Sequence, residues 1–187
     1  PEINRLFALP YDFAERGILR YGFHGIAYAS VLRTLQDKQP DIADGRLVLA
    51  HLGSGASLCA VRSGRSVDST MGFSALDGLP MSTRCGALDP GVPLYLMQAE
   101  GMTTAEIETL LYERAGLLGL SGLSGDVRTL TAAGTAPAER ALAVFAAATA
   151  KSIAAMAVSI GGLDAIAFSG GVGEHQAGVR AAIAARL

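Results

Sequence analysis

The sequence has little cysteine, little charge and no strong excess of either sign of charge. Its two cysteines, Cys59 and Cys85, have neither metal-site spacing nor a disulfide framework around them, which favours a reducing cytosol. A formal net charge of −2 gives no electrostatic reason to bind nucleic acid or an anionic membrane surface. No signal peptide is recognisable. These absences argue against a disulfide-stabilised secreted domain and against a polyanion-binding protein.

The longest apolar stretch runs from Ala141 to Ile160. It is rich in alanine and is interrupted by Lys151 and Ser152, which favours a buried helix over a membrane span. Half of the 187 residues are apolar, enough to bury a sizeable core. The chain begins at Pro1 without a methionine and ends inside a helical pattern. It is therefore expected to be a piece of a longer protein.

The order of elements predicts an α/β domain with a mixed sheet. Strands are expected at residues 47–50, 56–61, 66–69 and 164–168. Helices are expected at residues 24–36, 90–99, 103–115, 126–133 and 137–160, followed by a C-terminal one after residue 174. Ser63-Gly64 is placed for a tight hairpin turn between the second and third strands. Residues 70–90 and 116–126 are expected to form loops.

Two glycine-rich turns follow predicted strands. The first, Gly53-Ser54-Gly55, exposes consecutive N–H groups that can bind phosphate oxygens, but an ordinary hairpin has the same pattern. The second, Ser-Gly-Gly-Val-Gly-Glu at 169–174, precedes a helix whose N-terminus favours anions. It lacks both the lysine of a Walker A loop and G-x-G-x-x-G spacing. A nucleotide-binding turn and a structural turn therefore both remain open.

Several polar side chains beside glycines are candidates for a ligand site. They are His24, Arg84, and the pair Asp126 and Arg128 after Ser121-Gly-Leu-Ser-Gly125. Arginine offers a planar fork of donors to phosphate and carboxylate oxygens. In phosphoryl transfer, positioning and electrostatics carry most of the catalysis. The simpler alternatives are an exposed histidine, a surface salt bridge and a helix N-cap.

Several motifs come in the order seen in the acetate kinase (acetokinase) family. They are Tyr21-Gly-Phe-His-Gly25, His51-Leu-Gly-Ser-Gly55, Ser66-Val-Asp-Ser-Thr-Met-Gly-Phe73, Gly78-Leu-Pro-Met-Ser-Thr-Arg84, Asp89-Pro90, Ser121-Gly-Leu-Ser-Gly-Asp-Val-Arg128 and Phe168-Ser-Gly-Gly-Val-Gly-Glu174. The chain resembles that family along essentially its whole length. The resemblance implies a ribonuclease-H-like fold of the actin-like ATPase and acetate and sugar kinase superfamily, with a five-stranded type of mixed sheet and flanking helices. Residues 1–45 are then the tail of a first domain, and 46–187 most of a second, nucleotide-binding one.

The resemblance also implies an activity and a set of site residues. The reaction is reversible, Mg²⁺-dependent phosphoryl transfer from ATP to acetate, giving acetyl phosphate and ADP, in a cytoplasmic homodimer. His24 and Arg84 match catalytic residues that stabilise the transition state, and Phe23 matches a residue of the acyl pocket. The positions matching nucleotide contacts are His51, Leu52, Gly53, Ser54, Gly55, Asp126, Val127, Arg128, Gly171, Val172, Gly173, Glu174 and His175. The catalytic aspartate and the Mg²⁺-associated glutamate are expected outside this chain, so no metal ligand is assigned in it.

The sequence departs from the family pattern at several positions. Ser54 and His175 replace asparagines, and Ala87 replaces an aspartate. Gly25-Ile-Ala-Tyr28 stands where Gly-Thr-Ser-His is common, and Ala75 replaces a proline of the acyl pocket. The acyl preference is thus open, and a propionate or butyrate kinase is an alternative. A non-catalytic nucleotide-binding module like actin or Hsc70 is another, but His24 and Arg84 argue against it. A structural α/β domain with accidental glycine turns is the third.

Overall fold

A four-stranded mixed sheet between helices organises the computed structural model, which describes residues 2–187. The strands are β1 (Arg46–Leu52), β2 (Ala56–Arg62), β3 (Arg65–Ser69) and β4 (Ala165–Ser169). Their order is β3-β2-β1-β4, with β1 antiparallel to β2 and parallel to β4. The α/β class, the mixed sheet and the flanking helices are confirmed. The described residues supply four strands, where the resemblance implied five.

Ten α-helices surround the sheet in the part of the chain that the structure describes, and a 3-10 turn (Glu2–Arg5) precedes them. They are α1 (Tyr11–Glu15), α2 (Gly25–Lys38), α3 (Pro40–Ala43), α4 (Gly91–Gln98), α5 (Thr104–Glu113), α6 (Gly116–Ser121), α7 (Val127–Ala133), α8 (Ala136–Ile160), α9 (Gly170–His175) and α10 (Ala177–Ala184).

The central strand β1 is buried on both faces because successive side chains of a strand point to opposite sides. Val48, Ala50 and Leu52 join the larger core, to which α8 contributes. Leu47 and Leu49 join a smaller core in which Tyr28 of α2 is buried. The sheet therefore lies between two helical layers, with α2 on one face and α8 on the other.

Strands β2 and β3 are joined by a two-residue turn at Ser63-Gly64. Ser63 and Gly64 both have positive φ, 49° and 69°, and Arg62 pairs with Arg65 across the turn. A two-residue hairpin turn of the primed type needs positive φ at both central positions. The predicted hairpin at Ser63-Gly64 is confirmed.

The long apolar helix α8 is the one helix in the described residues that is long and apolar enough to cross a membrane by length and composition. One face of it is buried in the larger core, including Ala141, Phe145, Ile153 and Ile160, and Gly161 ends it with φ 77°. The prediction of a buried helix is confirmed for that face, while residues such as Val158 on the other are exposed.

Two segments differ from the sequence expectation. The predicted loop 116–126 contains α6, whose first turn is held by backbone hydrogen bonds from Leu117 N–H to Met81 O (2.8 Å) and from Leu118 N–H to Ser82 O (3.0 Å). These partners are distant in sequence, so local composition did not indicate the helix. The predicted glycine turn after β4 is itself helical, since α9 begins at Gly170 directly after the strand.

Candidate active site

A cleft of about 740 Å³ opens where the parallel strands β1 and β4 end side by side. Ligands of open α/β sheets bind beyond the carboxyl ends of strands. Side chains and glycines from five parts of the chain line this cleft: His24, His51, Gly53, Ser54, Gly55, Arg84, Asp126, Arg128, Gly170, Gly171, Val172, His175 and Gln176.

The Gly53–Gly55 turn joins β1 to β2 and forms the floor of the cleft. Gly53 N–H donates to Gly55 O at 3.0 Å, and the flanking pair Leu52 and Ala56 stays in register. A Cβ atom placed on Gly55 would lie 3.2 Å from Arg84 Nη2 and 3.3 Å from His24 Nε2. The absence of a side chain thus lets a guanidinium and an imidazole converge on the turn.

His24 caps the N-terminus of α2 in a left-handed backbone conformation, with φ 60° and ψ 20°. Its Nδ1 lies 2.8 Å from Ser57 Oγ on β2, and Tyr28 OH of α2 is hydrogen-bonded to the same Oγ. Burial is the main cause that lowers the pKa of His24, and the nearby His51 and Arg84 lower it further. The imidazole of His24 is therefore neutral at neutral pH.

His51, near the end of β1, faces His24 across 4.8 Å between ring centroids. Its Nδ1 lies 3.2 Å from Ser169 Oγ, the last residue of β4. Burial lowers the pKa of His51 as well, against a smaller opposing effect of Glu174. Two neutral imidazoles therefore lie side by side in the cleft. The Nδ1 of His24 is close to Ser57 Oγ on β2, and the Nδ1 of His51 is close to Ser169 Oγ on β4.

Arg84 reaches the cleft from the predicted loop 70–90. Its Nη1 donates to Ala75 O at 3.0 Å, and Arg84 O accepts from Met81 N–H at 3.0 Å. The guanidinium is half-buried, and within residues 2–187 no carboxylate lies within salt-bridge distance of it. A fixed cation without a carboxylate partner suits an anionic ligand.

The side of the cleft beyond β4 is formed by α9. Gly170 has φ 80°, and its N–H donates to Glu174 Oε1 at 3.1 Å. The glutamate carboxylate thus lies at the N-terminus of α9, where the sequence suggested an anion site. The glycines at 170 and 171 leave the backbone of this segment open to the cleft.

Asp126 is the N-cap of α7, opposite the glycine turn. Its Oδ2 accepts from Thr129 N–H at 3.2 Å and from Thr129 Oγ1–H at 2.8 Å, and these bonds lower its pKa. Arg128 Nε lies 3.5 Å from Asp126 Oδ1, with its side chain largely exposed. The simpler interpretation of Asp126 as a helix cap is correct, and its place at the cleft is compatible with a second role.

Most of the predicted site residues lie together in this cleft, but some do not. Leu52 and Val127 are buried in the larger core, and Gly173 is the buried residue of α9. Glu174 is engaged at the start of α9. Phe23 lines a separate, mainly apolar cavity of about 310 Å³ with Tyr28, Leu32, Leu49 and Cys59. The roles assigned to all of these residues stay predictions.

Sequence reasoning missed two serines that hold the histidines. Ser57 lies across the hairpin from His51, and Ser169 lies beside His51 in the parallel pair. Ser57 follows Gly55 by two residues, so strand alternation places the two on one face, a signal that the sequence already contained. The pairing of β1 with β4 spans more than a hundred residues and had no local signal.

No group of three or more His, Cys, Asp or Glu side chains in residues 2–187 is arranged to hold a metal ion. The cleft contributes chiefly imidazoles, the guanidinium groups of Arg84 and Arg128, and backbone N–H groups, which are donors to an anion. The one carboxylate on its lining, Asp126, already caps α7.

Comparison with known proteins gives a consistent result. The sequence model described as the Acetokinase family matches residues 1–187. The chain is similar to the acetate kinase of Methylocella silvestris, at 53% identity over 96% of this chain and 45% of that protein, and to the acetate kinase of Rickettsia akari, at 43% identity over 100% and 49%. The chain thus spans about half the length of the curated relatives it matches.

Solved structures agree with these matches. The crystal structure of Porphyromonas gingivalis acetate kinase superposes with a TM-score of 0.94 at 38% identity, covering 98% of this chain and 47% of that one. A propionate kinase from Francisella tularensis gives a TM-score of 0.93 at 34% identity, covering 100% and 49%. Both similarities extend along nearly the whole of the present chain.

Proposed function

Because the chain belongs to the acetokinase family, we propose that it is part of an enzyme that reversibly transfers a phosphoryl group from ATP to acetate. The products are acetyl phosphate and ADP. The observation that carries this proposal is the convergence of Arg84 Nη2 and His24 Nε2 on Gly55, at one end of a cleft with two glycine-rich borders.

The role proposed for each residue follows from the chemistry of the reaction. In-line phosphoryl transfer spreads negative charge over the equatorial oxygens, and fixed donors there lower the barrier. Arg84 supplies a cation, and His24 supplies a neutral N–H donor. The backbone of Gly53–Gly55 contacts the phosphates. Asp126, Arg128 and the α9 segment then lie on the nucleoside side of the cleft.

Mg²⁺ is a further expectation from the family. Mg²⁺ is bound by one or two carboxylates together with water and substrate phosphates, and when bound it neutralises phosphate charge. The lining of the cleft is mainly cationic and N–H donating, which does not fit a metal cage in residues 2–187. We therefore assign no metal ligand to this chain and derive no step through the ion.

We also propose a boundary near residue 46 between the tail of a first domain and a nucleotide-binding second domain. All four strands begin at or after residue 46, which supports this division. Helix α2 precedes it but packs on the sheet through Tyr28 and Leu32, so the boundary runs through packed structure. A homodimer and a cytoplasmic location are proposed on the same family basis.

A propionate kinase is the second candidate, because the chain superposes on a propionate kinase structure almost as well as on an acetate kinase structure. A few methylene groups in an apolar pocket discriminate by only about 1–3 kcal/mol, so the same cleft can serve several short acids. Ala75, whose carbonyl accepts a hydrogen bond from Arg84, stands where the family pattern has a proline of the acyl pocket, so the acyl preference is open.

The test is acyl phosphate formation by the intact protein that contains this chain. Hydroxylamine traps acyl phosphates as hydroxamates, so the assay reads the product with acetate, propionate and butyrate in turn. We expect the highest kcat/KM with acetate. A tenfold preference for propionate or butyrate would select the second candidate. The absence of any ATP-dependent hydroxamate would overturn the proposed function.

Substitution of Arg84 tests the role of the cation in the same assay. Arg84→Ala should lower kcat by a factor of about 10³, or about 4 kcal/mol, because a fixed donor to the transition state is lost. Arg84→Lys should recover little, because an ammonium group cannot reproduce the planar fork. Arg128→Ala is the matched control, an exposed arginine at the rim, and should lower kcat by less than about tenfold. Near-normal turnover of Arg84→Ala would contradict the assignment.

A further inference from the structure

Two buried hydroxyls and the imidazole of His24 form a hydrogen-bonded chain of three polar groups. Tyr28 OH is hydrogen-bonded to Ser57 Oγ, and Ser57 Oγ lies 2.8 Å from His24 Nδ1. Tyr28 is 6% exposed and Ser57 is fully buried. Water therefore has little access to these groups, and their protons must be placed among the three groups themselves.

The protons can be placed in three ways. In the first, the phenol donates to Ser57 Oγ, and the serine hydroxyl donates to His24 Nδ1. In the second, Nδ1–H donates to the serine, which donates to the phenol oxygen. In the third, the phenol and Nδ1–H both donate to the serine. Within residues 2–187, Ser57 Oγ is the one hydrogen-bond partner of Tyr28 OH.

The first arrangement is the one that pairs every proton. The second leaves the phenol proton without an acceptor, and the third leaves the serine proton without one. An unpaired buried donor carries its full desolvation cost, so the second and third arrangements are disfavoured. In the first arrangement Nδ1 is an acceptor, and a neutral imidazole must then carry its proton on Nε2.

We propose that Tyr28 and Ser57 are positioning residues that fix His24 as the Nε2–H tautomer, with that N–H directed into the cleft beside Gly55 and Arg84. His24 is thereby a hydrogen-bond donor without being protonated. The meaning of this for catalysis rests on the proposed function, in which the donor meets an oxygen of the transferring phosphoryl group. The tautomer itself does not depend on that function.

The groups that face the imidazole support a neutral donor. His51 on β1 and Arg84 on its loop both disfavour a positive charge on His24. Tyr28 on the same helix stays protonated because burial raises the pKa of its phenol. His51 has a related but shorter arrangement, since Ser169 Oγ is 3.2 Å from its Nδ1 and no phenol stands behind that serine in the described residues. His51 therefore serves as an internal control, a histidine held by a serine without a tyrosine behind it.

The test is the ¹⁵N spectrum of the imidazole rings in the 187-residue chain, which has three histidines. Ring nitrogens with and without a proton differ strongly in ¹⁵N shift, so the tautomer of each histidine is read directly. We expect a protonated Nε2 and an unprotonated Nδ1 at His24. Tyr28→Phe and Ser57→Ala should each produce a mixture of tautomers at His24 and leave the His51 signals in place. Thr149→Val removes a buried hydroxyl on α8 and should change neither.

A kinetic measurement on the intact protein gives a second readout. Tyr28→Phe and Ser57→Ala should each lower kcat about tenfold while KM for the nucleotide stays within about twofold, because the donor is misplaced and the rest of the site is kept. A protonated Nδ1 at His24, or a tautomer unchanged in both variants, would overturn the proposal. If the intact protein phosphorylated no carboxylate while Nε2–H was observed, the proposed function would fail and the tautomer assignment would stand.

Discussion

At the scale of single residues, His24 and His51 make the folded state less stable in acid. Both imidazoles are partly buried, their centroids are 4.8 Å apart, and burial is the main cause that lowers the pKa of each. In the unfolded chain the pKa of each histidine returns to about 6.5. Below that pH the unfolded state therefore binds more protons than the folded state.

We accordingly expect the free energy of unfolding to fall as the pH is lowered through about 6.5, because stability rises with pH wherever the unfolded state binds more protons. Urea unfolding midpoints at pH 7.5, 6.5 and 5.5 measure this. In His24→Asn/His51→Asn the fall over that window should be smaller, whereas Thr149→Val, which removes no titratable group, should keep the slope of the parent. A midpoint that rises on acidification would contradict the expectation.

At the scale of secondary-structure elements, α8 carries a large share of the core. The 25-residue helix buries Phe145, which is 2% exposed, in the larger core, while the side chain of the adjacent Val144 is partly exposed. Its buried face combines several alanines with a few large side chains, among which Phe145 is the bulkiest.

Phe145→Ala should therefore lower the free energy of unfolding by about 3–5 kcal/mol, the usual cost of removing a fully buried phenylalanine. Val144→Ala is the control on the next residue and should cost less than about 1 kcal/mol, because its side chain remains partly in water. Chemical denaturation followed by circular dichroism measures both. Equal losses in the two variants would contradict the assignment of Phe145, and not Val144, to the packed face of the helix.

The elements with local signals could be predicted from the sequence. Short apolar runs located β1 and β2, and Ser63-Gly64 forms its predicted hairpin. The helix predicted to start at Thr103 is confirmed, and in the structure Thr103 and Glu106 form a capping box there. Contacts distant in sequence could not be predicted from composition. Helix α6 depends on backbone hydrogen bonds to Met81 and Ser82. Ser169 lies beside His51 only because β4 pairs with β1 in the sheet.

The same holds for the candidate site: residues in short motifs could be identified from the sequence, and contacts between distant elements could not. His24, Arg84 and the Gly53–Gly55 turn were identified from short motifs, and the structure brings them together at one place. The hydroxyls that hold the imidazoles were not identified, because serine and tyrosine in a strand and a helix look like ordinary residues until the two elements are packed. Phe23 was identified by resemblance and lies on a different cavity.

At the scale of the whole molecule, the chain corresponds to about half the length of its relatives. We expect it to show no measurable acyl phosphate formation alone and to bind ATP at best in the millimolar range, about −4 kcal/mol. Sites assembled from two domains lose contacts and closure when one is missing. The hydroxamate assay and titration calorimetry, with the intact protein as control, measure both. Turnover by the chain near that of the intact protein would show that the cleft needs no further groups.

The left-handed backbone at His24 has a consequence for how this fold can change over time. A side chain at φ 60° raises the energy of the native state by roughly 1–2 kcal/mol, and glycine or asparagine would relieve that strain. Replacement by glycine would relieve that strain, but it would also remove the imidazole that accepts from Ser57 and leave the buried serine hydroxyl without an acceptor, at a cost of about 1–3 kcal/mol. The two effects are of similar size, so selection for stability alone gives no reason to replace the histidine, and the strained backbone can persist at position 24 as this fold diverges.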